Sequence, residues 1–185
     1  LVSITVQDPV VTITPSGGLN ASVAAPYTQS FTFNGGAQPW SGYQVTNLPA
    51  GLSITGTTVN SVTISGTPTA AAAFNLNVSA TDSSSGNGPF TVGQAFTLNV
   101  AGPGLALVPG AGTLNAPYAT AFSQTFTASG GTGPYSYALT GALPAGLSFS
   151  GSTLSGTPTA PGSYPVTVTA TDTGSTGSGA PFSVA

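Results

Sequence analysis

Leu143-Pro144-Ala145-Gly146-Leu147-Ser148, followed shortly by Ser155-Gly156-Thr157-Pro158-Thr159-Ala160, is the second use of a pair of motifs that the chain has already shown. The first use is Leu48-Pro49-Ala50-Gly51-Leu52-Ser53 with Ser65-Gly66-Thr67-Pro68-Thr69-Ala70. The two pairs lie 95 and 90 residues apart, and Ala80-Thr81-Asp82 returns 90 residues on as Ala170-Thr171-Asp172. A period this long is a whole small domain, larger than one solenoid repeat. Within each copy a leucine stands on either side of Pro-Ala-Gly. Leu48 and Leu52, or Leu143 and Leu147, can therefore reach one core across a tight turn, while Ser-Gly-Thr-Pro turns the chain between sheets.

Outward from these motifs, apolar residues alternate with Ser, Thr and Asn. The alternation covers residues 30–33, 59–65, 74–79 and 96–100 in the first copy, and 125–127, 135–139 and 164–169 in the second. A period of two marks strands with one buried and one wet face, and no segment keeps a helical period. Turn sequences such as Asn34-Gly35-Gly36 and Ser129-Gly130-Gly131 recur about every ten residues, the spacing of a sandwich of two antiparallel sheets with about seven strands. Pro165 interrupts the 164–169 run and cannot donate to a ladder, so it belongs on an edge or at a bulge.

The order Leu-Pro-Ala-Gly-Leu-Ser, Gly151 to Leu154, Ser-Gly-Thr-Pro, and then the strand from Tyr164 to Asp172 resembles the bacterial putative Ig-like repeat, a relative of the cadherin-like modules. The resemblance covers both copies. The first copy departs from the pattern with Gly35-Gly36-Ala37-Gln38-Pro39-Trp40 in place of Gly-Gly-x-x-Pro-Tyr, and with a longer stretch at 57–62. The resemblance implies tandem modules on large secreted or cell-surface bacterial proteins, mostly stalks, with no common active site.

Phasing the repeat leaves ragged borders. Phe96-Thr97-Leu98-Asn99-Val100 closes the first copy, and Val2-Ser3-Ile4-Thr5-Val6 has the same place in the order of motifs. Residues 1–8 thus read as the closing strand of a preceding or neighbouring repeat, 9–101 as the first Ig-like repeat, and 102–185 as a second repeat lacking its last strand. Two explanations stand. The sequence is a window on a longer tandem array, which the missing initiating Met also suggests, or it is a subunit whose N-terminal strand, with Val2, Ile4 and Val6 inward, fills the slot of another copy.

Composition removes whole classes of function. The chain has no Lys, Arg, His, Glu or Cys, and Asp8, Asp82 and Asp172 are its only carboxylate side chains. Nucleic-acid and anionic-membrane binding both need Lys and Arg, so neither is expected. No apolar run is long enough to insert in a bilayer. The Ser and Thr hydroxyls have no neighbouring base to activate them, so the chain reads as a non-enzyme. Hydrophobic residues at 39%, with nine Phe, six Tyr and one Trp, support two modest cores, and the 26 Gly and 16 Pro fall between the apolar runs where turns need them. A surface with so few charges suits close packing against like copies. It also gives trypsin-like proteases nothing to cut.

Two ligand readings are open alongside the structural one. No cofactor is expected, but calcium clamped between domains would use Asp8, Asp82 and Asp172. Against this, Asp82 and Asp172 each follow a strand and precede a Ser/Gly-rich loop, the setting of a carboxylate that caps its own turn. A glycan-binding module would use an exposed aromatic face, and Trp40 is the candidate, beside Tyr43, Tyr135 and Tyr137, which alternate toward the core.

The sequence therefore reads as all-β: two tandem Ig-like antiparallel β-sandwiches, with an extra N-terminal strand and a missing C-terminal strand. The expected role is a structural stalk or filament module of an extracellular bacterial adhesin or filament. Its partners would be copies of itself or adjacent repeats, with a host or matrix glycan as the alternative.

Overall fold

The computed structural model describes residues 1–15 and 17–185. The chain divides into two compact units, the first formed by Leu1–Pro68 and Ala72–Ala101, the second by Thr69–Ala71 and Gly102–Ala185. All regular structure among the described residues is strand and turn.

The first unit holds β1 (Thr12–Thr14), β2 (Leu19–Ser22), β3 (Tyr27–Asn34), β4 (Ser41–Thr46), β5 (Leu52–Thr57), β6 (Ser61–Gly66), β7 (Ala70–Thr81) and β8 (Thr91–Ala101). One sheet has the order β1-β3-β6-β5, all antiparallel. In the other, β7 pairs with β4 and β8 antiparallel, and β8 pairs with β2 in parallel. The four-pair β2–β8 ladder is parallel, within sheets of this unit whose other ladders are antiparallel. Alternate residues of the central strands are buried: Phe31, Phe33, Val62 and Ile64 from one sheet, Leu76, Val78, Phe96 and Leu98 from the other. Phe31 and Phe96 meet across the sandwich with ring centroids 4.9 Å apart. Alternation in the sequence thus becomes two apolar faces pressed together, the main source of stability here.

The second unit repeats the plan with β9 (Ala106–Val108), β10 (Phe122–Thr125), β11 (Thr127–Ser129), β12 (Tyr135–Gly141), β13 (Leu147–Ser150), β14 (Thr153–Gly156), β15 (Val166–Asp172), β16 (Thr176–Gly177) and β17 (Phe182–Val184). Its ladders run β10-β14-β13, β11-β9 and β12-β15-β17. Phe126, Leu154 and Val168 form the buried centre, with Leu107, Phe122, Tyr137, Leu139, Leu143, Leu147 and Phe149 packed against them.

The repeated motifs make one clasp. Thr67 N–H donates to Gly51 O at 3.0 Å, and Thr157 N–H to Gly146 O at 2.9 Å. The strands that follow start in the same register, Leu52 opposite Gly66 and Leu147 opposite Gly156. The flanking leucines do pack inward, but the most deeply covered members of the first clasp are Pro49 and Pro68. Their rigid rings fill the space between the two turns without losing side-chain entropy.

Some strand expectations shift. Val59 is not in a strand: Thr58 and Ser61 close a turn around it (Thr58 N–H to Ser61 O, 2.9 Å), and Val59 faces outward. The run at 125–127 breaks at Phe126, whose N–H turns to Ser152 O at 2.8 Å. Pro165 sits just ahead of β15, where its missing N–H removes no rung from the β12 ladder, whose first pair is Gly141 with Val166. Residues 1–11, expected to begin with a strand, belong to no sheet among the described residues. The side chains of Leu1, Val2, Ile4, Val6 and Val10 stand in solvent, while Val11 is half-buried beside Gly35.

Candidate functional site: the uncovered edge of the second unit

The closing strand of the first unit has no counterpart among the described residues of the second. β8 lies between β7 and β2, with Phe96 opposite Leu76, Leu98 opposite Phe74 and beside Leu19, and Val100 opposite Ala72 and beside Ala21. Val23 N–H adds a bond to Ala101 O at 3.0 Å. Under this strand Leu19 is 5% exposed and Val23 2%.

The counterparts in the second unit are identified by their backbone. Leu114-Asn115-Ala116 repeats Leu19-Asn20-Ala21. Ala119, like Ala24, has a left-handed backbone (φ 56° and 61°) and donates its N–H to a proline carbonyl, Pro158 or Pro68, at 2.9 Å. Tyr118 therefore stands where Val23 stands. β17 covers only Ala170, Thr171 and Asp172 of β15, so the 166–169 stretch is paired on its β12 side alone among the described residues. Residues 113–117 form no strand. Without a covering strand Leu114 is 39% exposed and Tyr118 64%. Exposed apolar side chains thus go with a strand edge that carries no second ladder over 166–169 among the described residues, and such an edge can accept an added strand.

Val2, Ile4 and Val6 are exposed, Ile4 at 86%, and belong to no sheet. By motif order they take the places of Phe96, Leu98 and Val100.

The two aspartates at the strand ends are turn anchors. Asp82, buried, accepts from Phe90 N–H at 2.9 Å, Ala37 N–H at 3.1 Å, Ser84 N–H at 3.2 Å and the Ser84 hydroxyl. Asp172, also buried, accepts from Thr132 N–H and Gly174 N–H at 3.1 Å, Ser175 N–H at 3.3 Å and the Ser175 hydroxyl. The Ser84 hydroxyl, with the backbone donors, outweighs burial and holds the Asp82 carboxyl down at about 2. Burial of Asp172 pushes its carboxyl up, but the Ser175 hydroxyl and three N–H groups pull harder, so it too lies below the usual range. Sequence reading named the carboxylates and missed their donors across the fold, the N–H groups of Ala37 and Thr132 just after the Gly-Gly turns, which the second glycines let come close. Gly36 and Gly131 both have φ of +67°, and a Cβ on Gly131 would overlap the Asp172 carboxylate.

As calcium ligands these residues are poorly disposed. The oxygens of Asp82 and Asp172 already face N–H and O–H donors, and Asp8 lies in the unpaired N-terminal stretch. No group of three or more metal-binding side chains comes together among the described residues. Trp40 requires a correction. It was expected as the exposed ring of a glycan site, but it is 3% exposed, lies 5.1 Å from the Phe33 ring and is roofed by Gly36. The Gly-Gly turn folds back over the indole, which leaves no face for a sugar. Tyr43, Tyr135 and Tyr137 are half-buried, with Tyr43 donating to Thr58 O at 3.0 Å and Tyr137 accepting from Ala128 N–H at 2.9 Å.

Among solved structures the chain is similar to an endo-fucoidan hydrolase, MfFcnA4 of glycoside hydrolase family 107 (16% identity, TM-score 0.40), covering 90% of this chain and 27% of that one. It thus spans about a quarter of that enzyme. It is also similar to the fibronectin(III)-like modules of Clostridium thermocellum CbhA (17% identity, 90% and 88% covered, TM-score 0.29). A third match is the titin domains z1z2 in complex with telethonin (15% identity, 94% and 93% covered, TM-score 0.41). No curated protein matches the sequence. No helix among the described residues is long and apolar enough to cross a membrane. The family model described as "Putative Ig domain" matches residues 2–101 and again 106–185, so the chain belongs to that family, as two tandem copies of its domain.

Proposed function

We propose that the chain is a structural module of an extracellular bacterial filament or surface stalk, and that its units join head to tail by strand donation. The donor is the segment carrying Val2, Ile4 and Val6, and the acceptor is the edge between β15 and residues 113–117. The observation that carries this reading is the contrast between two matched pairs: Leu19 and Val23 covered by β8, Leu114 and Tyr118 uncovered. Ig-like domains are generally structural modules without chemistry of their own, which fits a chain lacking any activated nucleophile. A surface whose one exposed carboxylate side chain is Asp8 among the described residues, and which has no basic side chain, lets copies approach closely.

A strand handed from one copy to the next is a heterologous contact that does not close on itself, so it propagates as a fibre. The experiment is sedimentation velocity after refolding from denaturant, on the chain and on Ile4→Asp. The chain should form a ladder of species above 17.8 kDa, and Ile4→Asp should remain at one copy. A chain that stays at one copy up to high concentration overturns the strand-donation reading.

A further inference from the structure

The second unit has another edge, on the far side of β15 from β17. There β12 pairs with β15 alone, without a shift of register, from Tyr135 opposite Asp172 to Gly141 opposite Val166. Thr173 N–H donates to Pro134 O at 2.9 Å in the same register, which fixes the parity of the ladder. The backbones of Ser136, Ala138 and Thr140 therefore face β15, and the N–H and C=O groups of Tyr135, Tyr137, Leu139 and Gly141 face away from it.

The matching strand of the first unit is closed in two ways. β4 carries one extra residue between Ser41 and Gln44, where its register shifts, and Gly42 there has φ of +60°. A bulge of this kind bends an edge and spoils it as a template for another strand. The longer stretch at 57–62 also reaches over the edge: Val59 O accepts from Trp40 N–H at 2.8 Å, and Thr58 O from the Tyr43 hydroxyl at 3.0 Å. Trp40 N–H is the counterpart of Tyr135 N–H, which has no such partner among the described residues. β12 thus lacks both devices, and it carries no proline and no charge.

We infer that β12 is a self-pairing edge, and that its partner is β12 of a second copy, laid antiparallel about a two-fold axis at Ala138. A two-fold contact sets the same strand against itself, so any charge on it would face a like charge. Residues 133–146 carry none. With Ala138 on the axis, Tyr135 lies opposite Gly141 and Tyr137 opposite Leu139, so each outward N–H meets an outward C=O. Tyr137 and Leu139, half-buried against the centre formed by Phe126, Leu154 and Val168, then cover one another across the axis. On the other face the side chains are small: Ser136 opposite Thr140, and Ala138 opposite its own copy.

A contact of one short strand falls well below the roughly 1,200 Å² of a stable interface, so free copies in dilute solution separate. Modules held side by side sum many such contacts. This pairing is independent of strand donation. It closes as a pair, and so joins neighbouring filaments sideways where donation would lengthen one.

Cysteine trapping tests this on the full chain carrying Ile4→Asp, which takes the N-terminal arm out of play. Across the axis the two Ala138 residues form a non-hydrogen-bonded pair, with Cα atoms about 4.5 Å apart and within disulfide reach. Ala138→Cys, Ser136→Cys and Gln44→Cys, all at exposed positions, are oxidised at equal concentration. Gln44 holds the place of Ala138 on the bulged β4. Ala138→Cys should give at least roughly tenfold more linked dimer than either of the others, because pairing concentrates its thiols. A mixture of Ser136→Cys and Thr140→Cys chains should link unlike chains in preference to like ones. A yield at Ala138 no higher than at Ser136 and Gln44, or no preference in the mixture, overturns the inference.

Discussion

Gly51 and Gly66 lie back to back where β5 begins and β6 ends, so close that a Cβ on Gly66 would overlap the Gly51 carbonyl oxygen, and one on Gly51 the carbonyl of Thr67. Both have positive φ, +91° and +143°, and Gly146 and Gly156 repeat the arrangement at +91° and +139°. The two halves of the repeated sequence motif are thus the two sides of a single contact.

Alanine at any of these four glycines meets backbone, which cannot swing away, in a conformation that L-residues avoid. Gly51→Ala or Gly66→Ala should cost about 1–3 kcal/mol in urea unfolding of the first unit. Gly56→Ala is the matched control, because Gly56 has open space around it and no left-handed φ, and should change stability by less than about 0.5 kcal/mol.

The single indole reports on one unit alone. Trp40 is buried against Phe33, so its emission should be blue-shifted in the folded chain and move to the red when the first unit unfolds. Trp40→Ala should destabilise that unit by about 3–5 kcal/mol, measured by circular dichroism, as expected for loss of a large core side chain. A mild effect together with altered binding to glycans would restore the sugar-binding reading.

Acid should act through the turn anchors. The folded-state Asp82 carboxyl is lowered to about 2 from the unfolded value near 4, so its stabilisation is complete above about pH 4 and is lost as pH falls toward 2. Asp172 is lowered likewise and adds the same sign of dependence for the second unit. With no His, Lys, Cys or Glu in the chain, thermal stability should be flat between about pH 4 and 9 and fall below that range. Asp82→Asn should lower the neutral-pH melting temperature and remove the first unit's share of the acid slope, followed through Trp40 emission.

The sandwich was legible because its determinants are local: a period of two in strands, Gly and Pro at turns, and a repeat long enough to be a domain. The turn-anchor role of Asp82 and Asp172 was also legible, from position after a strand and before a Ser/Gly loop. What the sequence hid depends on contacts distant along the chain. The indole of Trp40 is covered by the turn at Gly36, and the Asp172 carboxylate receives Thr132 N–H from 40 residues away. The parallel pairing of β2 with β8 joins residues 79 positions apart at Leu19 and Leu98, which no periodicity records. The exposure of Leu114 and Tyr118 needed the fold.

The account stands most directly on where the donated strand lies. Because the chain contains no cysteine, one can be placed on each side of the junction without background. The transferred register puts Leu1 opposite the outward-facing Thr167, as Ala95 is opposite Asn77. An equimolar mixture of Leu1→Cys and Thr167→Cys chains, refolded together and oxidised, is digested and its disulfides mapped by mass spectrometry. The account predicts that the bond between positions 1 and 167 of different chains dominates. Cross-links confined to like pairs, 1 to 1 and 167 to 167, would contradict it.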